Sequence, residues 1–162
     1  MNAPDAIDQE CVEAYLYSTR PLRVLLFRRP PERGRIWVPV SGKVEATDRS
    51  LESAARRELQ EETGVTAPRR VESLDWNFPF VGPDGGRWRL HAFAVEVDPG
   101  WVPTLSAEHD AAEWFTPELA VERLHYDDNK ETLRRLMRRE ADPGQPALLP
   151  TSGPGASAGG PG

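Results

Sequence analysis

The spacing of apolar and polar positions changes several times along this 162-residue chain. Val12, Ala14 and Leu16 alternate with Glu13 and Tyr15, a period of two that predicts a strand. Arg20-Pro21 marks a turn, and the apolar run 22–27 predicts a second strand, broken by Arg28-Arg29-Pro30-Pro31. Ile36-Trp37-Val38 predicts a short strand before Pro39, and 42–49 reads as a loop. The period then becomes helical: Ser50 is a cap, 51–63 the helix and Gly64 its stop. Segments 71–80 and 87–97 predict a hairpin across Gly82-Pro83-Asp84-Gly85-Gly86. A short strand is expected at 112–115, and Pro117 opens a helical turn reaching Leu124. Asp128-Asn129-Lys130-Glu131 fits a capping box for a last helix, whose apolar face carries Leu133, Leu136 and Met137. A β-rich order with a central and a C-terminal helix predicts an α/β or α+β class.

Composition narrows this picture. The charge pattern ends at Asp142, and 143–162 is rich in Gly and Pro with Leu148 and Leu149 as its only large apolar residues. Such a segment buries too little apolar surface to offset its ordering entropy, so 1–142 is expected to fold as one domain and 143–162 to form a flexible tail. The net charge of −6 argues against a nucleic-acid polymer as partner. No run approaches the length of a membrane span. The first eight residues lack the basic region and apolar run of a signal peptide, and a cytoplasmic protein is expected. The single cysteine, Cys11, permits neither an intrachain disulfide nor a Cys-based zinc site.

The central helix breaks local rules. At about 100° per residue, Glu58, Glu61 and Glu62 fall within an arc of roughly 100°. Like charges at these spacings repel, and anions at a helix C-terminus oppose the macrodipole. Leu51, Ala54, Ala55 and Leu59 lie at overlapping angles, so the carboxylates flank the buried face. One reading is a solvated acidic helix end; the other is a site for a hard divalent cation such as Mg²⁺ or Mn²⁺, which turns repulsion into coordination.

Arg57-Glu58-Leu59-Gln60-Glu61-Glu62-Thr63-Gly64-Val65 resembles the second half of the Nudix box, R-E-U-x-E-E-x-G-U, at every fixed and aliphatic position. A chance match in a chain this long is on the order of one in ten thousand or rarer. Pro39-Val40-Ser41-Gly42-Lys43-Val44-Glu45 and Ala54-Ala55-Arg56 resemble the upstream half. In the full box, G-x5-E-x7-R-E, Asp48 stands in place of the first Glu. Eight residues rather than seven separate it from Arg57, and Ser41 stands where Gly is usual. The chain is thus similar to the MutT-like Nudix hydrolase superfamily over about 12–140. The resemblance implies an α/β/α sandwich with a mixed β-sheet between helices.

It further implies metal-dependent hydrolysis of a diphosphate bond in a nucleoside diphosphate linked to another moiety. Glu58, Glu61 and Glu62 would ligate Mg²⁺ or Mn²⁺, with the carbonyl of Ser41 or Gly42 as a further ligand. Arg57 would hold the loop through a carboxylate. Glu61 or Glu108 would be the general base, with Glu113 a second choice to Glu108 as the additional site carboxylate. Arg28, Arg29 and Lys43 are candidates to bind phosphate or base. Trp37, Trp76, Phe78, Phe80 and Trp88 either stack on a base or pack the core. His91 is expected to be structural, and His125-Tyr126 to lie near the cleft. Candidate substrates are nucleoside triphosphate-like, dihydroneopterin triphosphate-like or ADP-ribose-like. The Tyr that marks dinucleoside polyphosphate hydrolases is missing at Val81, Gly82 and Pro83, whereas Pro79 lies near the position that marks ADP-ribose hydrolases. The same resemblance admits a homodimer, and a non-catalytic nucleotide-binding sensor as the alternative function.

Overall fold

The computed structural model describes residues 6–141; the expected tail, 143–162, lies outside them. The strands are β1 (Gln9–Ser18), β2 (Arg23–Arg28), β3 (Trp37–Val38), β4 (Val40–Lys43), β5 (Arg70–Val81), β6 (Arg87–Glu96) and β7 (Ala111–Phe115). The helices are α1 (Leu51–Thr63), α2 (Pro117–Arg123) and α3 (Asp127–Ala141). All seven strands join one mixed sheet.

β1 is its centre. It runs parallel to β6 from Gln9 to Tyr17. On its other edge it pairs antiparallel with β4 through Cys11–Ala14 and then with β2 through Leu16–Ser18. β2 in turn takes β7 along Val24–Arg28 and β3 at Phe27 and Arg28. The β3–β4 segment therefore inserts where β1 and β2 part.

Alternation along β1 sorts the core. Val12, Ala14 and Leu16 face α1, packing with Ala54, Ala55 and Leu59. Tyr15 and Tyr17 face the other way, against Leu124, Leu133 and Leu136 of the α2–α3 side. Both faces of the sheet are covered, and the result is the α/β/α sandwich with its mixed sheet.

α1 begins and ends where its residues dictate. Ser50 Oγ accepts from Ser53 N–H at 3.0 Å and Ser53 Oγ accepts from Ser50 N–H at 2.9 Å, a reciprocal cap. Gly64 ends the helix at φ 76°, its N–H bonded to the Gln60 carbonyl. The expected loop at 42–49 is shorter than its composition suggests, because Ser41, Gly42 and Lys43 pair with β1. The capping box expected at Asp128 is not formed as such. α3 already starts at Asp127, Lys130 N–H bonds the Tyr126 carbonyl, and Glu131 pairs with Arg135 at 3.1 Å. Asn129, expected inside a cap, lies within the helix and turns its side chain into the core.

Candidate functional site

α1 and β4 meet at Gly42. A side chain there would occupy the space of the Glu58 carboxyl group, so the backbone of β4 lies directly against that carboxyl. Glu58 and Glu62, one helical turn apart, are both buried, whereas Glu61 projects outward and is exposed. Burial and hydrogen bonding to the Glu58 carboxyl push the Glu62 pKa well above the usual carboxylate range, with the charges of Glu108 and Glu61 adding to the effect. Two hard oxygen donors held this close suit a small divalent cation, which binds through one or two carboxylates and keeps open positions for water and phosphate. Among the described residues no three Asp, Glu, His or Cys side chains close into a metal cage. Glu61 lies instead 3.4 Å from Arg57.

Arg57 ties this corner together. Its guanidinium donates to both Asp48 oxygens at 3.0 and 2.8 Å, to Glu58 Oε2 at 2.9 Å and to the Lys43 carbonyl at 3.0 Å. That grip holds the Asp48 pKa down to about 2. The extra loop residue is absorbed in a turn, where Asp48 N–H bonds the Glu45 carbonyl and Glu45 N–H bonds Asp48 Oδ2. Asp48 thus performs the loop-holding contact despite its shifted spacing and shorter side chain.

Gly42 also borders a cavity of about 460 Å³ between β4, the tip of the β5–β6 hairpin and the start of α3. Ser41, Lys43 and Arg29 line it, as does Arg33, which pairs with Glu108 at 2.9 Å. Arg28 is drawn away, bonding Asp110 at 2.8 Å and lying over Trp37. The aromatic candidates divide in the same manner. Phe78, Phe80 and Trp88 line the cavity, with Lys43 Nζ 5.0 Å above the Trp88 ring. Trp37 packs edge-on against Phe115, and Trp76 bonds Thr132 beneath the Arg135 guanidinium. His91 bonds Glu10 at 2.7 Å, Tyr126 reaches the cavity, and Glu113 is exposed on β7.

Three residues here were not singled out in the sequence. His109 is buried against Phe27, its Nδ1 3.7 Å from Glu62 Oε1, and burial lowers its pKa to about 4. Glu13 and Asn129 line the cavity from β1 and α3. The one available signal was a Glu at the position that the β1 alternation shares with Tyr15.

The model of the NUDIX domain matches residues 10–136. The chain belongs to the NUDIX family. An octanoyltransferase of Myxococcus xanthus is 41% identical over 116 residues, covering 70% of this chain but 32% of that protein, so the chain spans about a third of that relative's length. The asymmetrical bis(5′-nucleosyl)-tetraphosphatase of Rattus norvegicus is 29% identical over 100 residues, covering 60% of this chain and 67% of that one. The Escherichia coli dihydroneopterin triphosphate pyrophosphohydrolase has the same fold, with a TM-score of 0.71 at 17% identity, covering 83% of this chain and 99% of that one. Family and fold agree in giving the described residues a NUDIX domain. No helix among the described residues is long and apolar enough to cross a membrane.

Proposed function

We propose that this NUDIX domain hydrolyses a diphosphate bond in a nucleoside diphosphate linked to another moiety, using Mg²⁺ or Mn²⁺. The observation that carries this reading is the buried Glu58–Glu62 pair, set against Gly42 at the border of a cavity lined by cationic side chains. Glu58 and Glu62 would hold the cation directly, with the carbonyl of Ser41 or Gly42 as a further ligand and Glu61 reaching it through water. When bound, the cation neutralises phosphate oxygens and lowers the pKa of water. Arg29 and Lys43 line the cavity and would bind the phosphate chain, while Arg57 keeps Glu58 and the 45–48 turn in place. Arg28, committed to Asp110, would position the β2 end. Glu61 is the better-placed general base, because its contact with Arg57 at 3.4 Å is looser than that of Glu108 with Arg33 at 2.9 Å. Attack by water on one phosphorus releases the other phosphate, and the proton passes to the Glu61 carboxylate.

The substrate is a small phosphate-bearing nucleotide, and the cytoplasm is the expected compartment. The test is a screen of nucleoside triphosphates, dihydroneopterin triphosphate and ADP-ribose with Mg²⁺ or Mn²⁺, measuring phosphate and diphosphate release. Glu62→Gln is expected to lower kcat by about 10²-fold or more with the fold retained. Binding of nucleotides without release from any of them would instead establish a sensor.

A further inference from the structure

One charged group in the cavity has no counterpart in this chemistry. Glu13 is 2% exposed, at the cavity wall on the α3 side of the sheet. Among the described residues the groups that act on its carboxyl are Tyr15, Asn129 and Asp128, none of them cationic, so no positive charge offsets the cost of burying it. Its partners are neutral: Tyr15 Oη–H donates to Oε1 at 2.6 Å and Asn129 Nδ2–H to Oε2 at 3.0 Å. Asn129 Nδ2 also donates to Tyr15 Oη at 3.0 Å, so the three side chains fix one another. A carboxylate has about four acceptor positions, and these bonds use one on each oxygen. Each oxygen keeps acceptor capacity, and the cavity that Glu13 lines is also lined by Phe78, Phe80 and Trp88. Arg29, Arg33 and Lys43 in the same cavity disfavour a cationic ligand. What fits is a flat neutral ring with two adjacent N–H donors.

We propose that Glu13 is a specificity-determining residue that reads the ring N–H and exocyclic amine of a 2-amino-4-oxo heterocycle, as in guanine or a pterin. The proposal deepens the hydrolase reading by naming its substrate class. Adenine and cytosine place a ring-nitrogen lone pair beside their amino group, and uracil flanks its N–H with two carbonyls. Each would set an acceptor against the carboxylate and leave a buried group unpaired. Tyr15 and Asn129 are positioning residues, holding the carboxylate plane toward the ring.

The test compares GTP, dihydroneopterin triphosphate, ATP and CTP as substrates at pH 8.5 with Mg²⁺. In parallel, equilibrium binding of the α,β-methylene analogues of GTP and ATP is measured. The wild-type protein is expected to favour the 2-amino-4-oxo ligands over ATP and CTP by about 10- to 100-fold in kcat/KM. The same preference for guanine is expected in binding. The ratio of GTP to dihydroneopterin triphosphate tells which source supplies the ring. Glu13→Gln should bring the guanine-to-adenine ratio to within about threefold. Tyr15→Phe, which removes the donor that orients the carboxylate, should lower kcat/KM for the 2-amino-4-oxo substrates more than for ATP and CTP, narrowing the ratio without abolishing it. An equal response to all four wild-type ligands overturns the proposal whether or not the variants fold. So does a Glu13→Gln protein that loses affinity for guanine and adenine alike. Selective binding without turnover would overturn the hydrolase reading alone, and unselective turnover would overturn this inference alone.

Discussion

Gly42 has no room for a side chain, because the Glu58 carboxyl group fills the space beyond its α-carbon. Gly42→Ala should displace Glu58 and lower kcat by about 10²-fold, while circular dichroism shows a folded protein. Glu61 and Glu108 can be separated in the same assay. Both side chains are more than half exposed, but only Glu108 is engaged closely, by Arg33. Glu61→Gln is expected to lose about 10²-fold in kcat and Glu108→Gln about tenfold or less; the reverse order would make Glu108 the base. Glu13 makes a prediction in stability. Burial raises its pKa from 4.5 to about 7, with Asp128 adding to the rise and the Tyr15 and Asn129 donors opposing it. A carboxyl group that holds its proton more tightly when folded contributes stability that is full below pH 4.5 and lost as pH rises through 7. Relative to Glu13→Gln, the wild-type protein should therefore lose on the order of 3 kcal/mol between pH 4.5 and pH 8.5. Urea titrations of both proteins at several pH values measure the difference.

At the level of elements, α1 carries its own start and stop. Ser50→Ala removes one half of the reciprocal cap and should cost about 1 kcal/mol in denaturant midpoints. It should leave kcat unchanged, since Ser50 is at the opposite end of the helix from Glu58–Glu62. This helix was readable from sequence because its determinants are local: a cap, a helical period, a glycine and three acidic residues at fixed angles. The hairpin of β5 and β6 was readable for the same reason, from its glycine-rich turn. Elements that depend on distant partners were not. β4 reads as loop because its Ser41-Gly42-Lys43 has little β propensity, and pairing with Cys11–Glu13 makes it a strand. Glu13 reads as one polar position in an alternating strand, since the covering of both faces of β1 is a property of the whole sheet. His109 is brought to Glu62 by the loop before β7, and nothing in its neighbours Glu108 and Asp110 announces that placement. The core and the helix-borne carboxylates follow from short-range pattern, while the cavity follows from strand order.

Across the whole molecule, two demands are placed on opposite faces of one sheet. α1 presents Glu58 and Glu62 on one face, and β1 and α3 present Glu13 and Asn129 on the other. β4 passes between them, with the Gly42 backbone bordering the cavity and its α-carbon against Glu58. A chain with a net charge of −6 repels a polyphosphate at long range. Attraction must then be local, and in the proposed reading Arg29 and Lys43, which line the cavity, and a cation at the carboxylates would supply it. The two ends of a nucleotide should then respond differently to metal removal. Binding of the α,β-methylene analogue of GTP should weaken by tenfold or more when Mg²⁺ is replaced by EDTA, because the phosphate chain then faces Glu58 and Glu62 without screening. Binding of guanosine, which has no phosphate, should be nearly unaffected, because its contacts lie at Glu13 on the other side of the sheet. Titration calorimetry of both ligands with and without Mg²⁺ distinguishes these cases. Equal weakening of guanosine would mean that the carboxylates shape the base end of the cavity as well, and equal retention of the GTP analogue would remove Glu58–Glu62 from phosphate binding.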